Sequence, residues 1–143
     1  MSSRHFSSGA LDALSRFGDI MLPSHEPFPS FSELGCLEHI DSIVDYAPAD
    51  DIRQLNQLLG VLNWLPDGGL RRVFRWCETP EGWPEMIARN FRLLNFALRS
   101  ILCTLYYSGK AGTGYEGPTP LDLIGFEICR IPKEVHTRET ARP

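Results

Sequence analysis

The sequence contains no apolar run long enough to cross a membrane. Its most apolar stretch, leading to Leu105, is interrupted by Asn95, Arg99, Ser100 and Thr104, well short of the ~18 uninterrupted residues a spanning helix needs. There is no C-x-x-C pair. Cys36, Cys77, Cys103 and Cys129 lie far apart. An even count permits two disulfides, but nothing else marks a secreted scaffold. Cys36 and Cys103 fall within apolar helical patterns, where a free thiol behaves as a small hydrophobe. No G-x-S-x-G or S-x-x-K signature supplies a nucleophile, and no G-x-x-x-x-G-K-[ST] supplies a phosphate loop. The start, Met1 to Gly9, has neither an apolar h-region nor paired arginines, so it does not read as an export signal. Cytoplasmic residence is the expectation. Positive charge is in deficit: the net charge is −4, which argues against general nucleic-acid binding. No internal period suggests repeats.

What is present is an ordinary globular composition. The 143 residues are 43% hydrophobic and 22% charged, enough for one domain with a real core. Leu11, Leu14, Phe17, Ile20 and Met21 predict an amphipathic helix that stops at Pro23. A proline elbow follows with Pro23, Pro27 and Pro29. Ser30 and Glu33 have capping-box spacing ahead of a second helix carrying Leu34, Leu37, Ile40, Ile43 and Val44. Asp50 and Asp51 open a third helix, where the dipole favours their charge. Its stripe is Ile52, Leu55, Leu58, Leu59, Leu62 and Leu65, and Gly60 within it suggests a close helix contact. A short fourth helix spans about Leu70 to Cys77. Beyond Pro118, the piece Pro120 to Phe126 is apolar but short, either one helical turn or an extended cover. From Lys133 the chain is polar and reads as a frayed tail.

The stretch from Trp83 to Gly117 organises the rest. Pro84 suits a helix start. Phe91, Leu94, Leu98, Ile101, Leu102 and Leu105 recur at helical spacing, with Leu93, Phe96, Ala97 and Cys103 between them. A helix apolar on nearly every side is a buried one. It closes on Tyr106-Tyr107-Ser108-Gly109, and a loop follows with Gly112, Gly114, Tyr115, Gly117 and Pro118. Tyrosines about a glycine-rich turn suit an interface. Tyr107 and Tyr115 are the expected anchors, positioned by Gly114 and Gly117.

At these residues the chain resembles the gluconate 2-dehydrogenase subunit 3 family. The aromatic pair Tyr106-Tyr107 closes a long helix, and Gly114-Tyr115-Glu116-Gly117-Pro118 follows. A second match reads Met21-Leu22-Pro23, then Pro29-Ser30-Phe31-Ser32-Glu33-Leu34-Gly35, then Glu38-His39-Ile40-Asp41. Together they frame most of the chain in the family's order. The resemblance implies a small accessory subunit of a flavin-dependent dehydrogenase of the glucose–methanol–choline type. In such complexes the large subunit holds FAD and performs hydride chemistry, and the small one covers and stabilises it. Many relatives carry a twin-arginine signal and escort their partner across the membrane; this sequence has no such signal.

The remaining polar residues offer little chemistry. His5, His25, His39 and His136 share no ligand pattern, apart from Cys36 and His39 one turn apart, and two ligands make no zinc site. Asp41 and Asp45, also one turn apart, suit acid–base work only if a pocket buries them. Arg71, Arg72 and Arg75 form a basic patch, joined by Arg89, Arg92 and Arg99. They read as ion pairs with neighbouring helices or as a docking face for an acidic partner. The expectation is therefore an all-α, single-domain bundle of four to five helices around a central buried helix, with an irregular C-terminal segment. Residues 1–132 form the domain and 133–143 the tail. It has no catalytic, metal or cofactor residues of its own. Its partner-binding residues are Tyr106, Tyr107, Gly114, Tyr115, Gly117 and Pro118, with Arg71, Arg72 and Arg75, and FAD belongs to the partner. The alternative is a stand-alone helical enzyme or binder with a pocket lined by Trp64, Trp76, Trp83 and the tyrosines.

Overall fold

Ser7 ends an extended segment, and its side chain accepts from the Ala10 N–H, which starts helix α1, Ser8–Met21. This N-cap satisfies one of the donors that an α-helix leaves open. The structure is a computed structural model and describes residues 3–80 and 82–126. Six further helices follow: α2 (Phe31–Leu34), α3 (Ile40–Val44), α4 (Ala49–Leu62), α5 (Asp67–Glu78), α6 (Glu85–Tyr106) and α7 (Pro120–Leu123). The chain is all-α, with no strand among the described residues. Cys129, His136 and the expected tail from Lys133 lie outside those residues.

α1 lies deepest. Ala10, Leu11, Ala13, Leu14, Phe17 and Gly18 are all buried, and α1 packs against α2, α4 and α5. Gly18 is the close-contact glycine: a Cβ there would lie 2.2 Å from the Phe31 ring. Gly60 has no such neighbour, so the close contact expected there is at Gly18 instead. Arg16 fastens α1 to the α4–α5 turn. It donates to the Asn63 and Leu65 carbonyls at 3.1 and 2.7 Å and to Asp67 Oδ1. The Asn63 carbonyl, at the cap of α4, thereby gains a cationic partner, which the helix dipole favours.

The predicted second helix is broken. Gly35 takes φ 66, the left-handed conformation glycine adopts without strain. α2 therefore ends there, and a 3-10 turn, Cys36–His39, leads into α3. The capping box at Ser30 and Glu33 is present. The apolar period survives the break, and Leu34, Leu37, Ile40 and Val44 are all buried.

α6 is buried on one side only. Leu98, Leu102, Leu105 and Tyr106 enter the core, whereas Met86, Leu93 and Phe96 face solvent, Phe96 at 74% exposure. The expectation of an all-round buried helix fails at that outer stripe. α3 and α5 cover the inner face, and nothing described covers the outer one. Trp76, Trp83 and Phe91 close the α5–α6 corner as a tilted aromatic cluster with centroids 5.5 to 6.1 Å apart. The apolar piece after Pro118 is a single helical turn, α7, with its own capping box at Thr119 and Asp122.

Candidate partner-binding site

Tyr106 is the last residue of α6, and burial pushes its hydroxyl up to about 12. That hydroxyl donates to the Pro29 carbonyl at 2.5 Å. Tyr107 stands against it edge to face, with centroids 5.0 Å apart, and is 42% exposed. The tyrosine pair and the proline elbow line a shallow groove of about 260 Å³ with Met21, Leu22, Pro23, His25 and Phe28. One tyrosine fixes the pair to the core, and the other is offered outward.

The loop after α6 is clamped to the segment around Gly35. The Gly112 N–H donates to the Leu34 carbonyl at 2.9 Å. A Cβ on Gly112 would lie 2.7 Å from the Gly35 oxygen, and one on Gly35 would lie 3.1 Å from the Gly112 Cα. The two backbones touch because neither residue has a side chain. His39 Nε2 lies 3.0 Å from the Ala111 carbonyl. A carbonyl only accepts, so that nitrogen carries the proton. Thr113 donates twice to Glu38 Oε2, from its hydroxyl at 2.7 Å and its backbone N–H at 3.1 Å. These bonds hold the Glu38 carboxyl below its ordinary range.

The loop residues named from the sequence divide into two groups. Tyr115 is half-buried against the core and donates its hydroxyl to the Pro118 carbonyl at 3.0 Å. Its ring occupies the space above Gly117, where a Cβ would lie 2.6 Å from the hydroxyl. Tyr115, Gly117 and Pro118 thus fold the loop onto itself, and Tyr107 is left as the outward tyrosine. Gly114 is exposed, with open space where a Cβ would stand. Arg71, Arg72 and Arg75 are exposed on α5, and Arg72 lies 5.9 Å from the Trp76 ring centroid. They form no joint site with the tyrosine loop.

Asp41 and Asp45 do not line a buried pocket. They tie down the N-terminal arm. Ser3 and the Arg4 backbone hold Asp41, and the Arg4 and His5 side chains hold Asp45. Burial pushes the Asp41 carboxyl up, but the Ser3 hydroxyl and the Arg4 N–H outweigh it and the group sits below its ordinary value. The His5 and Arg4 contacts lower Asp45 in the same direction. Cys36 and Cys77 are buried free thiols, pushed up to about 12 and 11 by burial, and so inert as nucleophiles at neutral pH. Among the described residues no group of three His, Cys, Asp or Glu side chains is placed to hold a metal ion. No described helix is long and apolar enough to cross a membrane.

Compared with known proteins, the chain matches no family model, no curated protein and no solved structure. The functional reading therefore rests on the resemblance carried by the two motifs and on the geometry that joins them. The Gly35–Gly112 contact and the Arg16 clamp went unread in the sequence. Paired glycines far apart in the chain were the only signal for the first.

Proposed function

We propose that the chain is a non-catalytic small subunit that binds and stabilises a large FAD-dependent dehydrogenase of the glucose–methanol–choline type. The flavin belongs to the partner. The observation that carries this reading is the meeting of two distant motifs. The segments Met21 to Asp41 and Tyr106 to Pro118 carry the family resemblance together. They form one unit, joined by the Tyr106–Pro29, Gly112–Leu34, His39–Ala111 and Thr113–Glu38 bonds. Its outward product is Tyr107 beside an open groove, a suitable seat for a partner's side chain.

Two further observations favour a subunit over a stand-alone enzyme. A broad apolar stripe runs along the outside of α6, as expected of a surface that another protein covers. The tryptophans do not converge on a pocket, because Trp64 is 90% exposed and lies apart from the Trp76–Trp83 cluster.

One feature favours the small-molecule reading. An apolar groove between α3, α4 and α6 is lined by Phe6, Ile43, Val44, Ile52, Leu55 and Ile101, with Asp51 at its edge. Its volume is about 220 Å³, below the ~300–1,000 Å³ typical of ligand pockets.

A pull-down of the tagged full chain from native cells tests the proposal. A flavoprotein dehydrogenase in stoichiometric amount is the expected companion, with the flavin absorbance leaving with it when the complex is dissociated. Recovery without any flavoprotein overturns the reading, and so does flavin that stays with this chain through gel filtration.

A further inference from the structure

The outer face of α6 is not a scatter of exposed residues. Met86, Leu93 and Tyr107 fall on one seven-residue repeat, with Ser100 completing it. Arg89, Phe96 and Cys103 fall on the adjoining repeat, three residues on. These are the spacings at which one helix presents a seam to another. From Met86 to the cap residue Tyr107 the seam spans about 32 Å at the helical rise, and it ends on the outward tyrosine of the candidate site. Phe96, Met86 and Leu93 are exposed by 74, 73 and 60%, so the seam sets apolar side chains in water, with Arg89 and Ser100 between them. The inner face of the same helix is separately satisfied by the core.

Charge says what covers it. Residues 3–66 hold nine acidic side chains and three arginines, whereas residues 71–99 hold six arginines and three glutamates. Arg92 and Arg99 flank the seam at the positions that select partners in coiled coils. Arg92 pairs with Glu85 on its own helix, and Arg99 with Glu78 of α5 at 2.8 Å. Pairs this exposed contribute little, so a carboxylate from outside exchanges for them at little cost.

We infer that the outer face of α6 is the seat of an amphipathic helix from a partner protein, with Asp or Glu flanking its apolar seam opposite Arg92 and Arg99. A second copy of this chain does not fit. Paired antiparallel, α6 would set arginine against arginine; paired parallel, it would set them against Asn90, Ala97 and Thr104, which carry no charge. An anionic membrane fits less well than a protein. Glu78 and Glu85 stand among the arginines, and a groove of about 510 Å³ lies beside Phe96 between α5 and α6. A concave seat accepts a side chain, whereas a bilayer offers a flat surface. The inference does not require the partner to be a flavoprotein.

The test places a photoactivatable phenylalanine analogue at Phe96 in the full chain, irradiates native cells and sequences the joined peptide by mass spectrometry. The expected product is a peptide of helical apolar period flanked by Asp or Glu. In the isolated complex, Arg92→Glu with Arg99→Glu should weaken affinity by about tenfold or more, while the two Arg→Lys changes keep most of it. Phe96, Arg92 and Arg99 are all exposed, so these variants should fold as the parent does, which circular dichroism checks. A joined peptide without carboxylates, a joined second copy, a joined lipid, or no joined product overturns the inference. Whether the joined protein contains flavin is a separate result. A carboxylate-flanked helix from a protein without flavin sustains this inference and sinks the dehydrogenase reading. A flavoprotein that co-purifies in stoichiometric amount but is not joined at Phe96 does the reverse.

Discussion

The Tyr106 hydroxyl and the Pro29 carbonyl are 77 residues apart in sequence and 2.5 Å apart in space. Proline has no N–H, so its carbonyl is the one backbone hydrogen-bonding group that Pro29 carries. It is buried, and Tyr106 satisfies it. The bond closes the end of α6 onto the proline elbow and sets the direction in which Tyr107 leaves the surface. The core thereby aims the candidate site, and the predictions below separate residues that aim from residues that bind.

Leu98→Ala should cost roughly 2–5 kcal/mol of stability. Leu98 is buried at the middle of the inner face of α6, and truncation leaves a cavity that a packed core fills only in part. Urea unfolding measures it. An unchanged midpoint would mean that α6 is not seated on the core.

Gly112→Ala should destabilise by about 1–3 kcal/mol, because its Cβ would meet the Gly35 backbone at 2.7 Å. Gly114→Ala is the matched control, since its Cβ would meet nothing within 4 Å. Hydrogen exchange at the Gly112 N–H should accelerate with the loss of its bond to Leu34. Equal melting temperatures for the two variants would refute the backbone contact.

Tyr107→Ala and Tyr115→Phe should act on different properties. Tyr107→Ala should leave the free chain within about 0.5 kcal/mol of the parent. It should weaken the complex by roughly 2 kcal/mol, about thirtyfold. Tyr115→Phe removes the bond to Pro118 and should cost about 1 kcal/mol in the free chain with affinity little changed. Thermal melts of each variant, paired with titration of the partner, check both. The exchanged pattern would make Tyr115 the anchor and Tyr107 structural.

Stability should fall on acidification. Glu38, Asp41 and Asp45 all titrate below their ordinary values in the folded chain. A carboxyl depressed by folding contributes fully above its unfolded value, about 4, and loses that contribution as pH falls through its folded value. Urea midpoints should therefore be level near neutrality with respect to these groups and drop below about pH 4. Glu38→Gln should flatten part of that drop. A profile unchanged by Glu38→Gln would show that the Thr113 contact contributes nothing.

Much of the helical architecture was legible in the sequence because it is written in local terms. The Leu11–Leu14–Phe17 spacing, the Ser30–Glu33 box and the Asp50–Asp51 start each concern one element. The break at Gly35 was not legible, because the apolar period continues through it and the reason for it lies at Gly112. Nor was the outer face of α6. Leu93 and Phe96 are as apolar as Leu94 and Leu98, and periodicity alone does not say which stripe the core covers. The bond from Tyr115 to Pro118 was not legible for a related cause: a tyrosine beside glycines suits an interface, and it equally suits a ring that fills the space those glycines leave. The missing information in each case is tertiary.

The contact between Gly35 and Gly112 also sets a rule for descent. A Cβ on either residue falls on the backbone of the other, so neither position can drift alone, and a larger residue at one cannot be accommodated by shrinking its already minimal counterpart. A lineage keeps both glycines or surrenders the docked loop, and in surrendering it frees both positions together. A relative that keeps the docked loop is therefore expected to keep both glycines, even where the tyrosines have been replaced.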